Sequence, residues 1–237
     1  MDAMTDPVLI ACGHGTRSGA GRAAVSALIG ELALAMDGRA EVVEAYVDVH
    51  GPELPGVVDR VAGSRARDVV VVPLLLSAGF HVKVDMAGAV AAHPRARVAP
   101  AMGPDPLLAS LLSDRLHEVD AAPDHQVLMG AAGSSDADAV ADVEAQADLL
   151  RGDWPRLRLG YGASARPRLA CESARVRLEH DGDRVVGLSY LLAPGFFASR
   201  VEKSGLDAVT RPLIEPDREI DHRLTELLAA RFDAALA

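Results

Sequence analysis

The chain has 237 residues and a net charge of −10, with 49% hydrophobic but only 3% aromatic residues. The acidic excess is shared evenly by the two halves, and neither carries the basic stripe or aromatic-interleaved patch of a nucleic-acid partner. No apolar run approaches the roughly 20 residues of a membrane-spanning helix. Two cysteines and no basic, apolar leader argue against a disulfide framework and predict a reduced, cytoplasmic protein.

Residues 8–12 form a short apolar run that ends in glycines, and Val25, Leu28, Ile29, Leu32 and Met36 then recur at helical spacing up to Gly38. This predicts strand, glycine turn and helix. Residues 41–49 read as a second strand, 53–62 as a second helix, and 68–72 as a β-branched third strand that Pro73 ends. A helix over 84–92 begins near His81, followed by a short strand at 97–99 and a closing helix over 104–119. Residues 120–124 are polar and contain Pro123, which places a linker there and predicts domains at 1–120 and 121–237.

The second half repeats the order, with strands at 126–129, 158–161 and 185–192 and helices at 137–150, 167–177 and 217–236. Cores rich in Val, Leu and Ala suit buried parallel strands under helices, and hairpin signals of the Asn-Gly kind are absent. The expected fold is α/β: two tandem doubly wound, three-layer domains with parallel sheets, related by an internal repeat.

The repeat keeps its scaffold and loses its chemistry in one copy. Val8-Leu9-Ile10-Ala11-Cys12-Gly13-His14-Gly15 is answered by Val127-Leu128-Met129-Gly130-Ala131-Ala132-Gly133-Ser134, which sets His14 against Gly133. Leu76-Ser77-Ala78-Gly79-Phe80-His81 is answered by Leu192-Ala193-Pro194-Gly195-Phe196-Phe197, which sets His81 against Phe197. Residues 45–54 pair with 160–169, so Asp48 meets Ala163 and His50 meets Ala165. A lone histidine after a strand is ordinarily a structural residue, but loss at both repeat positions argues for one functional site in the first half.

In an open parallel sheet the ligand crevice lies beyond the carboxyl ends of the strands, where His14, Asp48 and His81 are expected on strands one, two and three. Two imidazoles and a carboxylate make a labile site for Fe²⁺, Co²⁺, Ni²⁺ or Zn²⁺ with open coordination positions. His50 competes with Asp48 as third ligand. Gly13 and Gly15 let a flat ring or an anion approach the backbone, and Arg17 and Lys83 could hold carboxylates. Asp85 reads first as a helix N-cap and second as an orienting partner for an imidazole. His93, His117, His125, His180 and His222 lack partners at ligand spacing and read as solvated or structural.

Three segments carry a family resemblance: Gly13-His14-Gly15-Thr16-Arg17, Ala45-Tyr46-Val47-Asp48-Val49 with Pro52-Glu53-Leu54, and the stretch from Val72-Pro73-Leu74 to Gly79-Phe80-His81-Val82-Lys83-Val84-Asp85. In these the chain resembles the sirohydrochlorin chelatases, class II tetrapyrrole chelatases, over nearly its whole length. The resemblance implies a lyase that inserts Fe²⁺ or Co²⁺ into sirohydrochlorin in siroheme or cobalamin biosynthesis. It assigns metal handling to His14 and His81 and places the family's acidic partner, commonly Glu, on Asp48.

Gly13, Gly15, Arg17, Gly79 and Lys83 would then meet the substrate, and His14 would accept a pyrrole proton. The second half would be the degenerate copy that walls the cleft. No permanently bound cofactor is expected, the metal being a substrate, nor an iron–sulfur centre or a histidine-rich tail. The fused copy replaces a partner subunit, so a monomer is expected. Two other functions stay open: a non-catalytic metal or tetrapyrrole carrier on the same fold, and a histidine-type phosphatase, against which Gly13 rather than Arg precedes His14.

Overall fold

The computed structural model describes residues 6–64 and 67–237. Residues 1–5, the start of the expected first domain and the stretch read as lacking a leader, lie outside the described residues, as do residues 65 and 66. Strands β1 (Val8–Gly13) and β3 (Val69–Pro73) are buried along their whole length, as uninterrupted Val, Leu and Ile runs must be when helices cover both sheet faces. They pair in parallel at the centre of a four-stranded sheet ordered β2-β1-β3-β4, with β2 (Glu41–Tyr46) and β4 (Ala96–Val98) at its edges. In the second half, β5 (Gln126–Ala131), β6 (Leu157–Tyr161), β7 (Val185–Tyr190) and β8 (Ala208–Val209) form a parallel sheet ordered β6-β5-β7-β8. The α/β fold with two tandem domains is as expected.

Alternation along the strands divides the core. Val8, Ile10, Cys12, Val69 and Val71 face a smaller cluster with α2 (Leu54–Ser64), whereas Leu9, Ala11, Val70 and Val72 face a large one. That large cluster is common to both halves. Helix α1 (Gly19–Ala35) covers part of it, but α8 (His222–Leu236), the last helix of the chain, packs against α1 and β3 of the first half. Reciprocally, α4 (Pro106–His117) leaves the first half and packs on β7 and on α5 (Ala137–Arg151). The stripe Leu224, Leu227, Leu228 and Phe232 gives α8 its buried face, at the spacing an amphipathic helix needs. Each half therefore lends its final helix to the other.

Polar contacts reinforce this exchange. Gln146, fully buried, accepts the Asp105 N–H at 2.8 Å and donates to the Asp105 carbonyl at 3.2 Å, while the Trp154 indole N–H donates to Ser113 Oγ at 3.0 Å. The helices start where short polar side chains cap free N–H groups: Ser18 for α1, Asp105 for α4, Asp136 for α5 and Asp221 for α8.

Several boundaries differ from the sequence reading. The segment after His81 is a π-helical turn, His81–Met86, that runs into a four-residue α3 (Ala87–Val90). Helix α6 spans Leu169–Glu179, and α8 begins at His222 rather than at 217. Helix α7 (Phe196–Glu202) and β8 are additional, too short to show a period. No helix among the described residues is long and apolar enough to cross a membrane.

Candidate active site

The strand order 2-1-3-4 fixes where a site can form, because chain connections leave β1 and β3 in opposite directions and open a crevice between their carboxyl ends. His14 follows β1 and His81 follows β3 by a loop. Their ring centroids lie 4.4 Å apart with the planes at 84°. Two imidazole nitrogens bound to one ion at roughly 2.0–2.1 Å each are at most about 4 Å apart, so this spacing suits a shared cation.

The outer nitrogens set the tautomers. His81 Nδ1 lies 2.6 Å from Asp85 Oδ2, and His14 Nδ1 lies 3.3 Å from the Gly15 carbonyl. Both partners are acceptors, so Nδ1 carries the hydrogen in each neutral ring and Nε2 keeps its lone pair. Asp85 is thus the orienting partner of His81 and not a helix cap, because the π turn begins at His81 itself and contains both residues. Cys12 is close in sequence, but burial pushes its thiol up to about 12, and no thiolate ligand is available at neutral pH.

Asp48 does not join the pair. Its side chain is exposed and Oδ1 accepts the Val49 N–H at 2.7 Å, while its backbone N–H donates to the His14 carbonyl at 3.0 Å. Among the described residues no group of three or more His, Cys, Asp or Glu side chains is arranged to hold a metal ion. The Asp48 carboxylate is turned to the backbone of its own loop instead, although that loop lies against His14. His50, the competing ligand, does line the cleft, with its ring 4.0 Å from that of Tyr46 and its Nδ1 3.0 Å from the Gly51 carbonyl. Its Nε2 is buried without a hydrogen-bond partner.

The cleft around the histidines measures about 940 Å³ and is walled by both halves. Gly13, Gly15, Arg17 and Gly79 line it, and most of its wall is apolar, including Leu74, Leu76 and Leu192. Tyr190, buried and with its phenol pushed up by burial, donates to the Leu76 carbonyl at 2.9 Å and ties the two walls together. Arg17 is exposed at the rim. Lys83, expected to meet a substrate carboxylate, has its Nζ on Asp136 at 3.0 Å and Asp138 at 2.5 Å, at the start of α5. The hydrogen bond to Asp138, seconded by Asp136, holds the ammonium in its charged form by raising its pKa. Asp142 of the same helix accepts the Ala78 N–H at 2.7 Å, so the second half straps down the loop that carries His81.

Strand registers refine the repeat. Val8 pairs with Val69 as Gln126 pairs with Val185. Counting from these, His81 falls on Phe197, as read from sequence, but His14 falls on Ala132 and Gly15 on Gly133. The two glycines share a left-handed backbone, φ 95° and 88°, and a Cβ on either would strike the carbonyl oxygen of Asp48 or Ala163. Gly133 is therefore the counterpart of the turn glycine, not of the histidine. Either way the second half has no imidazole at these positions.

Residues 8–119 match the CbiX family model. The match takes in nearly all of the amino-terminal half, which is similar to CbiX proteins there. Solved structures extend the likeness over both halves. SirB from Bacillus subtilis with Fe³⁺ is 18% identical, with 98% of this chain and 96% of that chain covered and a TM-score of 0.80. The sirohydrochlorin chelatase SirB of B. subtilis subspecies spizizenii in complex with cobalt is also 18% identical, over 96% and 94% of the two chains, at a TM-score of 0.75. CbiX described as the terminal enzyme of siroheme biosynthesis in denitrifying bacteria is 18% identical over 98% and 100%, at 0.67. At this identity the likenesses establish the fold. No curated protein matches the chain in sequence.

The matched segment holds both histidines, and the carboxyl-terminal half supplies Tyr190, Asp136, Asp138 and Asp142. None of these four contacts was read from the sequence. They join residues far apart in the chain and belong to no local pattern; only Asp136, following a strand and a small-residue turn, has a sequence signal, that of an N-cap.

Proposed function

We propose that this protein is a chelatase that inserts a divalent metal ion, Fe²⁺ or Co²⁺, into sirohydrochlorin, working in the cytoplasm as a monomer. The observation that carries the reading is the His14–His81 pair, ring to ring at 4.4 Å in a large cleft, with both Nδ1 atoms turned to acceptors. The metal is a substrate here, captured by two Nε2 lone pairs while water fills its other positions. Two neutral ligands bind a divalent ion weakly enough to give it up, which a delivery site needs and a closed structural site does not.

Insertion exchanges one M²⁺ for two protons on the ring nitrogens. As the ion passes to the macrocycle, His14 Nε2 is released and accepts one of those protons; the other leaves to water. Asp48 would supply a carboxylate to the ion once its Oδ1 leaves the Val49 N–H. Arg17 at the rim would neutralise ring carboxylates, and Gly13, Gly15 and Gly79 would let the ring lie close to the backbone. Lys83 acts in this scheme through the strap to α5 and not on the substrate.

The test is anaerobic insertion of Fe²⁺ and of Co²⁺ into sirohydrochlorin, followed by absorbance. His14→Ala and His81→Ala should each lower the rate at least about a hundredfold, the usual scale for a lost acid–base group, with unchanged melting temperature. Wild-type protein that binds ring and metal without accelerating insertion would instead be a carrier.

A further inference from the structure

We propose that Phe80 and Phe196 form a pair of aromatic plates, one from each half, on which the flat macrocycle stacks. This rests on the reading of the cleft as a tetrapyrrole site. The chain has four phenylalanines, and three of them line this one cleft. Phe232 lies in the core and Phe197, half-buried, packs on a core cluster. Phe80 and Phe196 touch ring or guanidinium neighbours, Phe196 edge-on to Phe197 at 5.2 Å, and stay 58% and 68% exposed, while most large apolar side chains of the protein are buried. Rings left this exposed gain only part of their burial energy from folding, so two of them lining one cavity mark a surface that a ligand can cover.

Their placement is not accidental to one loop. By the strand registers that set Val69 against Val185, Phe80 falls on Phe196, each one residue before the His81/Phe197 position. The repeat has changed the metal-handling residue and kept its aromatic neighbour. The histidine is needed once, for the ion, whereas a planar ring has two faces and can use an apolar plate from each side. Phe80 lies 6.0 Å from the His81 ring, at 85°, which puts one plate beside the metal site.

The charge around the plates matches the same ligand. The Arg200 guanidinium stands 5.6 Å above the Phe196 ring centroid, and Arg17 lines the cleft. An apolar centre with cations at its edge is complementary to a flat, carboxylate-fringed macrocycle, and not to a phosphate ester, whose charge would sit where the apolar wall is.

The experiment is an anaerobic titration of the full-length protein with metal-free sirohydrochlorin, read by absorbance and by fluorescence quenching, alongside a Co²⁺ titration read by its visible absorption. Phe80→Ala and Phe196→Ala should each raise the ring dissociation constant about tenfold, the scale of lost base–aromatic stacking. Phe80→Leu and Phe196→Leu should do the same, because they keep apolar bulk but lose the flat face. Phe80→Trp and Phe196→Trp should restore wild-type affinity. Leu178→Ala, at an exposed leucine of α6, is the control and should bind as wild type.

Co²⁺ affinity should be unchanged throughout. A double alanine variant or leucine variants that bind the ring as tightly as wild type would overturn the proposal while leaving the chelatase reading intact. A parallel loss of Co²⁺ affinity would also overturn it, by assigning the effect to the histidine pair. Wild-type protein that fails to bind the ring would remove both.

Discussion

Asp85 decides which nitrogen of His81 keeps a free lone pair. With its carboxylate 2.6 Å from Nδ1, it sets the tautomer and the ring plane together. Asp85→Ala should therefore leave the fold in place, since neither side chain is buried, and weaken Co²⁺ binding about 10- to 100-fold, the range for a lost outer partner of a ligating histidine. A Co²⁺ titration with circular dichroism as the control measures both. The histidines were legible because the repeat deletes them, and their glycine neighbours because a strand-to-helix turn needs them. Asp85 was visible only as an ambiguity: four residues after His81 it shares a helical face, but a helix expected to start later put the two in different elements. Asp48 is the opposite case: its position at a strand end was legible, but the turn of its carboxylate to the Val49 N–H is set by the loop backbone and not by any local pattern.

At the scale of elements, the segment carrying His81 is anchored from both halves, with Met86 in the core of the first half and its loop tied to the second. It is a loop, a six-residue π turn and four residues of α-helix, and its outer hold comes from α5 through Ala78–Asp142 and Lys83–Asp136/Asp138. Short π segments recur at functional sites because they shift side chains off the regular helical track. At the far end of the chain, α8 depends on its cap. Asp221 accepts the Arg223 N–H at 3.0 Å and bonds its guanidinium at 2.7–2.8 Å, and those hydrogen bonds hold the Asp221 carboxyl down at about 2.

A carboxyl with a depressed pKa contributes stability that is complete above its ordinary value and fades as pH falls through about 2. Asp221→Ala should lower stability by about 1 kcal/mol at neutral pH, the usual cost of a lost cap, and the difference from wild type should shrink at the acid end of a melting series. The long helices and buried strands were legible from their periods. α7 and β8, of seven and two residues, were not, because neither is long enough to repeat anything.

At the scale of the molecule, the exchange of α4 and α8 makes the two halves one folding unit. Phe232, 1% exposed, sits in the cluster that both sheets share. Phe232→Ala should cost about 3–5 kcal/mol, and it should move a single melting transition rather than split it into two, as scanning calorimetry would show. Sequence alone divides the chain at its linker; it does not reveal that helices cross that division, since a helix carries the same apolar stripe whichever sheet it covers.

One asymmetry reaches beyond architecture. The imidazoles stand on one wall only, so under the chelatase reading a cation they hold would meet a planar guest from that side, whichever way up the guest is seated, and the facing wall would serve to press the guest against it.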